Sequence, residues 1–161
     1  IQDNTVYHAH GGFVIGSEFS GGMKNIVVRN NTFQGTDAGL RFKSAVKRGG
    51  ISENIFIDHI YMTDITGDAI TFETTYFDNH VGAKKSNAPV KQEYLPNFQD
   101  IHISNVYVRG CKNGIVAHGA EGTVHDITIK DTYIFYNQKA QDIDETCKIK
   151  LENVNFATFA K

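Results

Sequence analysis

Ile55-Phe56-Ile57-Asp58-His59-Ile60-Tyr61-Met62 states a pattern that returns along the whole chain. Laid over residues 26–33, 101–108, 127–134 and 149–156, it keeps apolar residues at the first, third and eighth positions and usually at the sixth. A small polar residue holds the fifth: Asn30, His59, Asn105, Asp131 and Asn153. Alternation on either side of that residue is the period-2 signature of half-buried strands, and the polar residue marks a bend between two short ones. The leading isoleucines, Ile26, Ile55, Ile101, Ile127 and Ile149, are 29, 46, 26 and 22 residues apart, a spacing that signals a solenoid. A second apolar run follows the first three at Leu40, Ile70 and Ile115, 14 or 15 residues on. Several strands per repeat with no amphipathic helix between them predict an all-β, right-handed parallel β-helix of about five to six coils, one domain spanning 1–161.

The register also runs backward. Ile1 takes the third position, Asp3 the polar fifth, Val6 the eighth, and Phe13 the second run. The chain therefore starts inside a coil, with an open strand edge that needs cover. Either it is a fragment lacking N-terminal coils, or a partner chain caps this end. The long interval of 46 holds an insertion over residues 74–98, with Lys84, Lys85, Lys91 and both prolines, read as a functional or mobile loop.

Composition narrows the function classes. The 161 residues suffice for one buried core. A net charge of −2, scattered lysines and no aromatic-basic motif argue against nucleic acid. No apolar run approaches the roughly 20 residues of a membrane span. Fifteen Gly, two Pro and no Trp favour strands and tight turns. Cys111 and Cys147 fall in different repeats and read as two separate half-buried thiols rather than a disulfide.

The register also sorts the polar residues. Arg41 and Lys43 flank Phe42, so both cations share one face while Leu40 and Phe42 point inward. Stacking sets Thr71 and Glu73 beside them on one side, Val14 and Gly16 on the other, and aligns His10 with Asp37. A guanidinium fork and a mobile ammonium side by side suit a carboxylate-bearing sugar. Gly11, Gly12 and Gly16 remove side chains where a sugar ring approaches the backbone. Each piece alone has a blander reading. An Arg-x-Lys is commonly a solvated face, a lone His10 a turn histidine, and Lys43 with Glu73 an ion pair worth about 0–1 kcal/mol.

Taken together, these segments resemble glycoside hydrolase family 28, the polygalacturonases. The resemblance rests on His10-Gly11, Ile15-Gly16-Ser17-Glu18, Ser20-Gly21-Gly22, Gly35-Thr36-Asp37, Arg41-Phe42-Lys43 and Gly49-Gly50. Ala9 replaces the first Gly of the family's Gly-His-Gly, and Phe42 the Ile of its Arg-Ile-Lys. It is specific over about residues 1–50 and generic beyond. It implies an inverting hydrolase of galacturonosyl linkages, pectin or oligogalacturonate as partner, no cofactor or metal, and a secreted or periplasmic location. His10 would support the catalytic carboxylates. Arg41 and Lys43 would hold the galacturonate carboxylate, Tyr76 would line the sugar groove, and Gly11 and Gly12 would border it. The family's acid and base come from Asn-Thr-Asp and Asp-Asp motifs before the Gly-His-Gly segment, and neither motif occurs here. The acid and base Asp are therefore expected upstream of residue 1, and the isolated 161-residue chain is expected to be inactive. Three alternatives compete. They are a rhamnogalacturonan hydrolase, a non-catalytic β-helix that binds carbohydrate or serves as a stalk, and a Ca²⁺-dependent pectate lyase, disfavoured because Asp64, Asp68 and Glu73 are dispersed.

Overall fold

The computed structural model describes residues 1–75 and 94–159. Nine strands form it: β1 (Thr5–Tyr7), β2 (Phe13–Ile15), β3 (Met23–Gln34), β4 (Leu40–Lys43), β5 (Ile51–Thr63), β6 (Asp68–Glu73), β7 (Asn97–His118), β8 (Val124–Ile143) and β9 (Ile149–Thr158). Each strand pairs in parallel with the strand one coil away. One ladder runs β1-β3-β5-β7-β8-β9, and a second runs β2-β4-β6 into the C-terminal half of β7. The fold is a right-handed parallel β-helix.

The repeat alignment is the observed register. Ile26 pairs with Ile55, Ile55 with Ile101, Ile101 with Ile127, and Ile127 with Ile149. Leu40, Ile70 and Ile115 stack in the second ladder. The backward extension holds as well, with Val6 beside Phe33 and Phe13 beside Leu40.

The polar fifth position owes its identity to backbone conformation. Asp3, Asn30, His59, Asn105, Asp131 and Asn153 all have φ between 48° and 59°, the left-handed region that Asn, Asp and His tolerate best. Just before the leading isoleucine lies a second left-handed corner, at Asn25, Asn54, Asp100 and Asp126, which the apolar pattern did not reveal. These corners turn the chain without ending the ladder, contrary to the expected pair of short strands. β7 stays bonded to its neighbours through Asp100, Asn105 and Gly110 over 22 residues.

Inside, the third-position residues Val28, Ile57, Ile103 and Ile129 are buried, as are Phe33, Met62, Val108 and Ile134 at the eighth. Phe42 and Phe72 stack face to face with ring centroids 4.6 Å apart, and Phe98 meets Phe42 edge-on. Each such burial is worth about 1.5–3 kcal/mol. The two polar sixth positions are buried but satisfied. Asn31 accepts from the Asn4 backbone N–H and donates to the Arg29 carbonyl, and the Thr132 hydroxyl donates to the Lys130 carbonyl. Cys111 and Cys147 are free thiols, both buried rather than half-buried. Burial, with the charge of Asp68 adding to it, pushes the Cys111 thiol up to about 12.

The described residues on either side of 76–93 are both held by one segment of the preceding coil. Thr75 bridges Ala45, while the Tyr94 carbonyl accepts from the backbone N–H groups of Lys47 and Gly49. Tyr76, Lys84, Lys85 and Lys91 lie outside the described residues.

Candidate functional site

Three turns in adjacent coils build the site, each preceding a short strand of the second ladder. Backbone bonds lock them together. Asp37 N–H donates to the Ala9 carbonyl, Gly12 N–H to Ala38, Thr66 N–H to Thr36, and Gly39 N–H to Asp68. This places His10, Asp37 and Thr66 side by side on successive coils. His10 Nδ1 lies 3.0 Å from Asp37 Oδ2, the neighbour relation that the register predicts. Thr66 Oγ1 donates to Asp37 Oδ1 at 3.3 Å. The hydrogen bond with His10, chiefly, holds the Asp37 carboxyl below its ordinary range, so it is ionised at neutral pH.

β4 contributes the cations. Leu40 and Phe42 are fully buried, and Arg41 and Lys43 point the other way, half-buried. Arg41 pairs with Val14 before it and Thr71 after it, and Lys43 with Glu73. Arg41 Nη1 reaches to 3.4 Å from His10 Nε2, a contact that strand register alone did not disclose. Guanidinium, imidazole and carboxylate therefore form one chain across two coils. A chain of this kind fits an oxyanion ligand, since the guanidinium offers directed N–H donors and its orientation is partly set beforehand.

The glycines divide by role. A Cβ on Gly12 would overlap the ring of Phe33, and one on Gly16, at φ +112°, would overlap the Lys43 carbonyl. Gly12 thus makes room for a core phenylalanine as well as bordering the turn, a packing reason that the sequence reading did not supply. Gly11 is hemmed by the Val14 side chain and is half-buried.

Further along the same face the register carries two groups the sequence reading passed over. His118, paired with Glu73, sits 3.1 Å from Asp144, and Lys139 contacts Asp142 at 2.8 Å. Beside the Asp37–Thr66 contact, an open cavity of about 410 Å³ is lined by Asp64, Thr66, Lys112, Asn137, Gln138 and Phe159 among others. Asp68 is engaged by Asn113 and Thr71, and Asp64 accepts from the Thr63 hydroxyl. Among the described residues no three His, Cys, Asp or Glu side chains converge as metal ligands would.

Comparison with known proteins adds a family to this geometry. The model of glycosyl hydrolases family 28 matches residues 1–152. The chain belongs to that family. Among curated family relatives, the exo-poly-alpha-D-galacturonosidase of Dickeya chrysanthemi is 27% identical over 156 residues, covering 97% of this chain and 25% of that protein. A polygalacturonase of Ralstonia solanacearum is 31% identical over 157 residues, again 25% of its length. The family 28 chain described here thus spans about a quarter of these relatives. The structure of a hyperthermoactive exopolygalacturonase from Thermotoga maritima superposes with a TM-score of 0.81 at 33% identity, over 97% of this chain and 33% of that one. The Yersinia enterocolitica family 28 exopolygalacturonase, at 20% identity and a TM-score of 0.55 over 94% of this chain and 30% of that one, shares the fold.

Proposed function

We propose that these coils form the carboxylate-recognising wall of a polygalacturonase-type glycoside hydrolase, with galacturonate in pectin as the sugar bound. The observation that supports this best is the Asp37–His10–Arg41 chain with Lys43 on the same face. It assembles, on one wall, the residues that the family resemblance pairs with a uronic acid. Arg41 supplies directed donors to the carboxylate, and Lys43 a compact second charge. His10, held by Asp37 on one ring nitrogen and facing Arg41 with the other, takes the supporting role toward the catalytic carboxylates that the resemblance implies. Gly11 and Gly12 border the sugar, and Tyr76 contacts it.

Inverting hydrolysis needs one carboxylic acid on the leaving oxygen and one carboxylate activating water, about 6.5–9.5 Å apart. We assign those two groups to sequence outside residues 1–161, and a secreted or periplasmic location of the whole enzyme is in keeping with the family resemblance. The wall itself is tested by calorimetric titration with oligogalacturonates. Arg41→Ala should weaken binding by about 10–100-fold, the loss of a hydrogen-bonded charge contact worth about 1.5–3 kcal/mol. Arg41→Lys should recover only part of it, having no planar fork. Equal affinity of wild type and Arg41→Ala for the acidic sugar would overturn the assignment. Heat only with rhamnogalacturonan fragments would instead favour the decorated-pectin reading.

A further inference from the structure

We propose that Asp37 is a positioning residue. Backed by Thr66, it fixes the His10 imidazole with its proton on Nδ1, so that Nε2 accepts from Arg41 and orients the guanidinium. The ligand side of this inference rests on the function proposed above, and the tautomer side does not.

Donor counting leads there. A guanidinium has N–H donors and no acceptor, so the 3.4 Å contact from Arg41 Nη1 is a hydrogen bond only if His10 Nε2 carries a lone pair. The remaining proton of the neutral ring then sits on Nδ1 and needs an acceptor. Asp37 Oδ2, at 3.0 Å, is that acceptor. Which imidazole nitrogen is protonated follows from the partner at the other one, so the carboxylate selects the tautomer that the guanidinium requires. Thr66 Oγ1, donating to the second carboxylate oxygen at 3.3 Å, restrains rotation of Asp37. Every link crosses from one coil to the next, so the ladder that builds the fold also spaces the relay. His10 and Asp37 are 70% and 64% exposed, so their pairing contributes little to stability. What it contributes is direction: a guanidinium already held at one nitrogen loses less freedom when a carboxylate docks.

The test reads the tautomer directly, by ¹⁵N-correlated NMR of the His10 ring at about pH 8, above the usual imidazole titration. Wild type should show a protonated Nδ1 and an unprotonated Nε2. Asp37→Ala and Asp37→Leu, neither able to accept, should move the ring to the Nε2–H form or a mixture. Asp37 is exposed, so both variants should fold, with circular dichroism as the check. In titrations with trigalacturonate the same variants should bind about 3–10-fold more weakly, and Thr66→Val by a smaller factor. On an Arg41→Ala background the Asp37 effect should vanish, because the two residues act through one contact. An unchanged tautomer in both Asp37 variants would overturn the proposal, as would an undiminished Asp37 effect without Arg41. Absence of binding by wild type would sink the functional reading, while the tautomer comparison would still decide this one.

Discussion

Asp58 shows how one carboxylate can serve a solenoid without touching the site. Partial burial opposes its ionisation, but hydrogen bonds from Ser104 and Asn105 on the next coil, and from His59, outweigh that. They hold the carboxyl at about 2, against an ordinary value of 3.8. The folded pKa is depressed, so the stabilisation is full above pH 3.8 and fades as pH falls through 2. Thermal melts of wild type and Asp58→Asn should therefore differ most at neutral pH and converge in acid. The gap should be modest, about 1 kcal/mol or less, because the side chain is 40% exposed and solvent screens it. Parallel pH profiles for the two proteins would contradict this. At the same scale the sequence was informative about His10 and Asp37, whose adjacency follows from register alone. Thr66, and the reach of Arg41 to His10, were not legible. They depend on side-chain rotamers that strand spacing does not fix.

Among the elements, the corners decide the outcome. Asn105 has φ 52°, donates to Asp58 across the coil boundary, and sits where the ladder turns without breaking. Asn105→Val should cost about 1–2 kcal/mol, since a β-branched side chain pays the left-handed penalty in full. Asn105→Gly should cost less, keeping the conformation and losing only the hydrogen bond. Denaturant unfolding of the two variants checks the ranking, and equal losses would refute a conformational origin. The first set of corners was readable because a polar residue interrupts an apolar alternation there. The second set, Asn25, Asn54, Asp100 and Asp126, precedes the first four repeats, where a polar residue reads as an ordinary boundary. The expected break between short strands failed for a related reason. Periodicity reports which face is buried, whereas the ladder depends on backbone groups that go on pairing around the bend.

Across the whole molecule, stability is shared by neighbouring coils rather than gathered at one centre. Phe42 is the test. It stacks on Phe72, meets Phe13 and Phe98 edge-on, and lies between Arg41 and Lys43. Phe42→Ala should lose about 3–5 kcal/mol and, by loosening β4, should weaken oligogalacturonate binding as well. Phe42→Leu should retain most of both, as read by unfolding midpoint and titration together. The coil architecture was legible because one apolar template recurs with fixed partners. The residues around Tyr76 carry no such template, and the recurring pattern passes them by. Thr75 and Tyr94 are nonetheless moored to the same short stretch, 45–49, and pairing resumes without a slip on the far side. Whatever length of chain separates those two moorings, the rungs above and below keep their alignment. This lineage could therefore lengthen, shorten or exchange the segment, or an engineer could graft a foreign peptide there, without shifting the register of the coils on either side.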